Sequence, residues 1–300
     1  MSSAPPSEFR SGFAALVGRP NVGKSTLLNA LVGVKLSIVT PRPQTTRHRI
    51  LGVLTLPQAQ IAFVDTPGLH LKAARALNKA MNRTASAALA DADLVVLVVE
   101  ALRFTPEDQL ALERIVRAGR PAIAVVNKVD RVRPRARLLP YLAELAGRHP
   151  FTAIVPVSAL REENIAELRS IIAVHLPHSP PLFPAGELTD RSVSFRIAET
   201  IREKLTLELN QEVPYGIAVE VERVTEEQGM LSVDAAIWVD REGQKPIVIG
   251  ARGERLKRVG RAARLALNAL LGRRLHLNLW VKVRANWADN ARALRELGVE

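Results

Sequence analysis

The stretch Gly18 to Ser25, GRPNVGKS, follows an apolar run and opens a helical one, TLLNALVG. Glycines at 18 and 23 let successive backbone N–H groups turn inward on an anion, the helix N-terminus adds partial positive charge, and Lys24 can span two phosphates. The Ser25 hydroxyl has the place of a ligand to the Mg²⁺ that accompanies a nucleoside triphosphate. Gly18, Arg19, Pro20, Asn21, Val22, Gly23, Lys24, Ser25 and Thr26 together read as a phosphate-binding loop. The pattern specifies a purine triphosphate without choosing the purine, and kinases and ATPases share it.

Three further groups narrow the chemistry. DTPG, Asp65 to Gly68, ends the run IAFVD; Asp65 has the place of a carboxylate near the metal, and the Gly68 amide that of a γ-phosphate sensor. Between the two motifs, the polar segment Pro41 to Arg49 lacks apolar periodicity and carries Thr46, or failing it Thr45, as a hydroxyl that reaches the metal only when a γ-phosphate is present. NKVD, Asn127 to Asp130, ends the run AIAVVNK. A carboxylate at Asp130 can accept from N1–H and the exocyclic amine of guanine, donors that adenine lacks there, so the site selects GTP and GDP over ATP. Asn127 braces neighbouring loops, and the Lys128 stem covers one face of the base. Ser158, Ala159 and Leu160, closing AIVPVSAL, are placed to give guanine O6 a backbone N–H. Lys24, Thr46, Asp65 and Gly68 are the candidate catalytic groups, with Ser25, Thr46 and Asp65 around Mg²⁺.

Positioning these groups takes a particular fold. From Phe13 to Leu176, near-continuous apolar runs (FAALVG, IAFVD, LVVLVVE, AIAVVNK, AIVPVSA) alternate with amphipathic stretches, which implies a mostly parallel α/β sheet with helices on both faces and ligands at the carboxyl ends of its strands. Residues 1–11 read as a flexible N-terminus, 12–177 as the nucleotide domain and 178–190, with four prolines at 177, 180, 181 and 184 in or beside it, as a semi-rigid linker. Residues 191–300 read as an α+β domain: a long helix (about 193–210), two strands (about 217–224 and 231–239), a glycine loop after a strand-like run, a basic helix, one more strand and a last helix.

The whole 300-residue chain carries 42 Lys/Arg against 30 Asp/Glu, net +12. Between 199 and 240 there are 3 basic and 10 acidic residues, and between 241 and 284 there are 12 and 2. One face of the second domain is therefore strongly positive and suits a polyanion. Within that stretch IVIGARGERLKRVG sets Gly250 and Gly253 around Ala251 and Arg252, with Arg255, Lys257 and Arg258 following. This is the GXXG arrangement that lets a backbone approach the phosphates of single-stranded RNA. In LHLNLWVKVR the residues 275, 277, 279, 281 and 283 form the core side, and Trp280 on the other side has either a base or a neighbouring helix to pack on. The basic residues between Arg135 and Arg148 read better as a solvated helix face than as an RNA contact. No cysteine is present, which excludes disulfides and thiolate chemistry, and the six histidines have no metal-ligand spacing. No apolar run is long enough for a membrane span.

The series GRPNVGKS, QTTRHR, DTPGLH, NKVD and VSAL, followed by the proline-rich joint and VIGARGERLKRVGRAARL, resembles the Era family of bacterial GTPases across nearly the whole chain. The resemblance implies a Ras-like P-loop GTPase domain followed by a type II KH domain, GTP hydrolysis, binding to the 3′ end of 16S ribosomal RNA and a role in assembly of the 30S subunit. It implies a cytoplasmic protein, a monomer, with peripheral attachment to the inner membrane face reported for some members. The residue after DTPG, Leu69, cannot orient a water as a glutamine does, so slow intrinsic hydrolysis is expected. In the wider family an asparagine at the position of Asn21 accompanies activation by K⁺. Three other readings stay open on the residues alone: a P-loop kinase or ATPase, an RNA-binding protein with GTP as a passive ligand, and a membrane-associated regulator.

Overall fold

The computed structural model describes residues 8–42, 45–68, 76–209, 216–227, 229–290 and 293–294. They fall into two units, Met1–Ser37, Thr46–Ala73 and Met81–Asp190 in the first, Ile38–Thr45, Ala74–Ala80 and Arg191–Glu300 in the second.

The first unit is built on six strands, β1 (Arg10–Val17), β2 (Ile50–Thr55), β3 (Ala59–Asp65), β4 (Leu94–Glu100), β5 (Ala122–Asn127) and β6 (Ala153–Pro156). Their order across the sheet is β2-β3-β1-β4-β5-β6. All neighbours run parallel except β2, which lies antiparallel on β3 at the edge. Every residue of β3 and β5, and all of β4 except Glu100, is buried, as apolar strands covered on both faces must be. β2 was not anticipated, because ILGVLT alternates poorly and Gly52 interrupts it. The helices α1 (Lys24–Val32), α2 (Ala76–Asp91), α3 (Pro106–Ala118), α4 (Leu138–Ala146) and α5 (Ile165–Val174) make the crossovers. α3 is started by a capping box between Thr105 and Asp108 with Pro106 at its first position, the signals that favour a helix start.

The proline-rich stretch does not hang free. Its carbonyls and amides bond to the first unit: Ser11 Oγ donates to Pro180 O at 2.6 Å, Gln60 Oε1 accepts from the amides of Leu182 and Phe183, and Val53 N donates to Leu188 O. Prolines keep this segment extended, which leaves its remaining polar groups open to such pairing.

The second unit contains α6 (Val193–Glu208), β7 (Ile217–Glu227), β8 (Met230–Val239), α7 (Gln244–Ile249), α8 (Glu254–Leu271) and β9 (Leu275–Val283). β7 and β8 pair antiparallel, and β9 joins β8 in parallel. The core unites Ile197, Ile201 and Leu205 of α6 with Val233, Ala235 and Ile237 of β8 and Val259, Ala263 and Leu267 of α8. One expectation fails here. The run before the glycine loop is the short helix α7, not a strand: Pro246 sits in its first turn, where no amide hydrogen is needed, and Val248 is fully buried. Val39 and Thr45 also belong to this unit, Val39 N donating to Glu203 Oε1 and Arg202 Nη2 to Thr45 O, with Glu199 aligning the guanidinium. Residues 1–7, Leu69, Asn210 and most of the expected last helix lie outside the described residues.

Candidate nucleotide-binding and RNA-binding sites

The phosphate loop leaves β1 between β3 and β4, and Asp65, Glu100 and Asn127 end β3, β4 and β5 on the same side of the sheet. Register alone brings Asp65 level with Leu16 and Asn127 level with Glu100. This is the carboxyl edge at which open α/β sheets bind ligands.

Gly23, at φ 103°, caps α1, and a Cβ there would come within 2.3 Å of Asn127 Nδ2. A side chain is therefore excluded where the loop meets the base motif. Lys24 is buried; its ammonium donates to the carbonyls of Gly18 at 2.9 Å and Arg19 at 3.0 Å. Burial pushes that ammonium down to about 8, with the Asp65 carboxylate opposing the shift. Phosphate oxygens offer the same ammonium anionic acceptors in place of the carbonyls.

Ser25, Thr46 and Asp65 converge. Ser25 Oγ lies 2.7 Å from Thr46 Oγ1 and donates to Asp65 Oδ2 at 2.8 Å, while Ser37 Oγ donates to the same oxygen at 3.0 Å. Burial holds the Asp65 carboxyl above its ordinary value, against the pull of Lys24 and the three hydroxyls. Asp65 Oδ1 is buried without a partner. An all-oxygen cluster with one unsatisfied carboxylate oxygen suits a hard cation such as Mg²⁺. Thr45, the reserve choice, instead bonds Thr40 Oγ1 and Arg42 O, away from this cluster. Gly68 lies against the loop, since a Cβ on it would meet Pro20 at 2.9 Å.

At the other end, Asn127 Nδ2 donates to Val22 O, and its Oδ1 accepts from the amides of Lys128 and Ala159. Lys128 Nζ donates to Asn21 O at 2.7 Å and pairs with Glu100 at 3.1 Å. Asp130 Oδ1 accepts from Ser158 Oγ at 2.6 Å. The amides of Ser158 and Ala159 donate to Glu163 O and Asn127 Oδ1, which fixes the turn that carries them beside the base motif. Sequence reading missed the partners of Arg19, a buried guanidinium bonded to Glu100 at 2.7 Å and to Asp108 at 3.0 Å.

In the second unit, Gly250 has φ 73°, and a Cβ there would strike Arg255 Cβ at 2.6 Å. Arg252 bulges in the left-handed region, and Gly253 caps α8. Beside this turn runs a groove of about 460 Å³ with Leu256, Leu277 and Leu279 as its apolar part and Lys257, Arg261 and Arg264 as its cations. Two of the expected basic residues bond within the protein: Arg255 Nη1 donates to Ile247 O, and Arg258 pairs with Glu208. Arg261 and Arg264 were missed, although with Lys257 they repeat at helical spacing. Trp280, on the alternate set to Leu277 and Leu279, donates to Glu222. Arg135 pairs with Glu163, and Arg148 with Glu144, as solvated helix residues do. Among the described residues no group of acidic and histidine side chains could hold a metal by itself, and no helix is long and apolar enough to cross a membrane.

A phosphate loop, the Ser25–Thr46–Asp65 cluster and the NKVD strand end on a mostly parallel sheet, with a GXXG unit following, define a P-loop GTPase joined in one chain to a KH domain. The family models for 50S ribosome-binding GTPases and for KH domains match residues 13–128 and 212–288, and the chain is 48% identical to GTPase Era of Marinobacter nauticus over 292 residues, 97% of this chain and 96% of that one. The chain belongs to the Era family of GTPases. GTPase Era of Xanthomonas axonopodis pv. citri is likewise 48% identical, with 98% of each chain covered. Two solved structures align with a TM-score of 0.93 at 40% identity, over 97% of this chain and 99% of theirs: a variant of Aquifex aeolicus Era bound to GDP·AlF₄⁻, and Era in complex with MgGDPNP and nucleotides 1506–1542 of 16S ribosomal RNA.

Proposed function

We propose that this GTPase binds the 3′ part of 16S ribosomal RNA through the groove beside Gly250–Gly253 and acts in maturation of the 30S subunit, turning GTP and water into GDP and phosphate. The observation that carries the switch is the convergence of Ser25, Thr46 and Asp65 beneath Lys24. With GTP bound, Ser25 and Thr46 hold Mg²⁺, Asp65 supports it, and the ion offsets charge on the β- and γ-phosphates. Lys24 holds those phosphates and the Gly68 amide reads the γ-phosphate. Asp130 selects guanine, Asn127 and Lys128 fix its pocket, and a backbone N–H of the Ser158–Leu160 turn meets its carbonyl. Asn21 would hold a K⁺ ion, which would supply additional positive charge there. The RNA half is supported by the complex of the 40%-identical relative with a 16S fragment and by three cations around an apolar groove, a surface that suits unstacked bases and their phosphates. Membership of the family supports a cytoplasmic, monomeric protein; peripheral membrane attachment is tested by vesicle sedimentation at varied salt.

The test is GTP turnover in potassium buffer, with and without a short RNA copying the 3′ end of 16S ribosomal RNA, and with Lys24→Ala as the blank. Stimulation by the RNA, lost in the variant, is expected. Turnover indifferent to RNA sinks the coupled reading.

A further inference from the structure

Most phosphate-loop residues work through their backbone, so the side chain of Arg19 has no required role in holding phosphate. Here it is buried and turned away from the phosphate cradle. Its guanidinium donates from Nη2 to Glu100 and from Nε to Asp108. Asp108 is fully buried and its engaged oxygen also accepts from the amide and hydroxyl of Thr105, so it is fixed by the start of α3. Glu100, the last residue of β4, differs from it. Its Oε2 faces Arg19 and its Oε1 faces Lys128, whose ammonium also holds Asn21 O. Its own backbone is held as well, Tyr141 Oη donating to Glu100 O, and Ala101 N donating to Asn127 O next door.

We propose that Glu100 is a positioning residue for nucleotide binding: one carboxylate ties the phosphate loop, through Arg19, to the base-pocket lysine, Lys128, and so fixes the spacing between phosphate cradle and purine pocket. The charges balance, two carboxylates against Arg19 and Lys128. Burial pushes the Glu100 carboxyl upward, yet the bonds from Arg19 and Lys128 outweigh it and hold the group below its ordinary value, so the bridge is ionised at neutral pH. A group that presets the distance between two half-sites acts on any ligand spanning both, in ground and transition state alike. It therefore appears in KM and nucleotide affinity and little in kcat.

The test uses the full chain, fluorescent GDP and a fluorescent non-hydrolysable GTP analogue. Glu100→Gln should weaken both by about tenfold and raise KM, while kcat at saturating GTP falls less than about twofold, the signature of lost uniform binding. A double-mutant cycle with Lys128→Ala separates positioning from loss of stability: if Glu100 acts through Lys128, the double variant binds GDP within about twofold of the weaker single one. Additive losses, or a loss confined to kcat, overturn the proposal. Should Glu100→Gln not accumulate, Glu100→Asp keeps the charge but is too short to reach both cations, and the same outcomes apply.

Discussion

The hydroxyls of Ser25 and Thr46 lie 2.7 Å apart, with Asp65 Oδ2 2.8 Å from the first of them. Ser25 stands on a rigid helix start and Asp65 at a buried strand end, whereas Thr46 comes from a segment without regular structure. Of the three, the one most easily withdrawn is therefore Thr46, and its contribution should depend on which nucleotide is present.

Thr46→Val keeps the shape and removes the hydroxyl. It should weaken binding of a GTP analogue with Mg²⁺ by about tenfold, the scale of one charge-assisted bond, and change GDP affinity by less than about twofold. Titration of both nucleotides with and without Mg²⁺ reads this out. Equal losses for GDP and the GTP analogue would mean that Thr46 is merely structural.

Lys24 makes nucleotide binding pH-dependent. Its ammonium is lowered by burial from 10.5 to about 8 in the protein without ligand, and phosphate binds the charged form. Above about pH 8 binding takes up a proton, so GDP affinity falls as pH rises, by up to about tenfold per unit, and is flat below about pH 7. Calorimetry at about pH 8.5 in two buffers of different ionisation enthalpy measures the uptake. For the fold the sign is that of a lowered lysine. The unfolded chain binds the proton more tightly, so the cost of burying the ammonium is full below about pH 8 and is relieved as pH rises towards 10.5.

Asp130 should decide the base. Asn in its place keeps one acceptor oxygen for N1–H but turns an amide donor on the exocyclic amine of guanine, whereas the same donor pairs with the carbonyl that xanthine carries in place of that amine. Asp130→Asn is expected to lose about a hundredfold or more in GDP affinity and to gain xanthosine diphosphate. Competition between the two diphosphates checks it, and unchanged guanine preference would remove Asp130 from the base pocket.

Turnover should be faster in KCl than in NaCl of equal ionic strength if K⁺ binds beside Asn21. Asn21→Ala should abolish that difference while leaving GDP affinity within about threefold, because its carbonyl, which Lys128 holds, remains. A K⁺ effect that survives the substitution places the ion elsewhere.

How much of this was legible follows from the kind of signal each residue sends. Lys24, Ser25, Asp65 and Asn127 stand at the ends of apolar strands or the start of a helix, and local pattern fixes where those ends lie. The pairing of Thr46 rather than Thr45 with Ser25 depends on the path of a loop, which no periodicity records. Glu100 and Asp108 reach Arg19 from 81 and 89 residues away, so their role exists only in three dimensions. α7 was mistaken for a strand because IVI is β-branched, and packing of Val248 overrode that preference. In the glycine loop the charges stand in the sequence, but the bonds of Arg255 to Ile247 O and of Arg258 to Glu208 arise only when α7 and α6 pack beside it.

That last distinction gives the sharpest test of the RNA site. Lys257, Arg261 and Arg264 line the groove, whereas Arg258 is paired with Glu208 at 2.6 Å. A cation that meets an RNA phosphate releases counterions, and its loss lowers the slope of log affinity against log salt by about 0.7 for single-stranded RNA. Arg261→Ala and Arg264→Ala should each weaken binding of a 16S 3′-end oligonucleotide and flatten the salt dependence by about that amount. Arg258→Ala should flatten the slope less than either of these, since its guanidinium is engaged with Glu208 on the α6 side. Anisotropy titrations at four salt concentrations suffice. If Arg258→Ala flattens the slope as much as the other two, the RNA runs along the α6 side of α8 and the groove assignment fails.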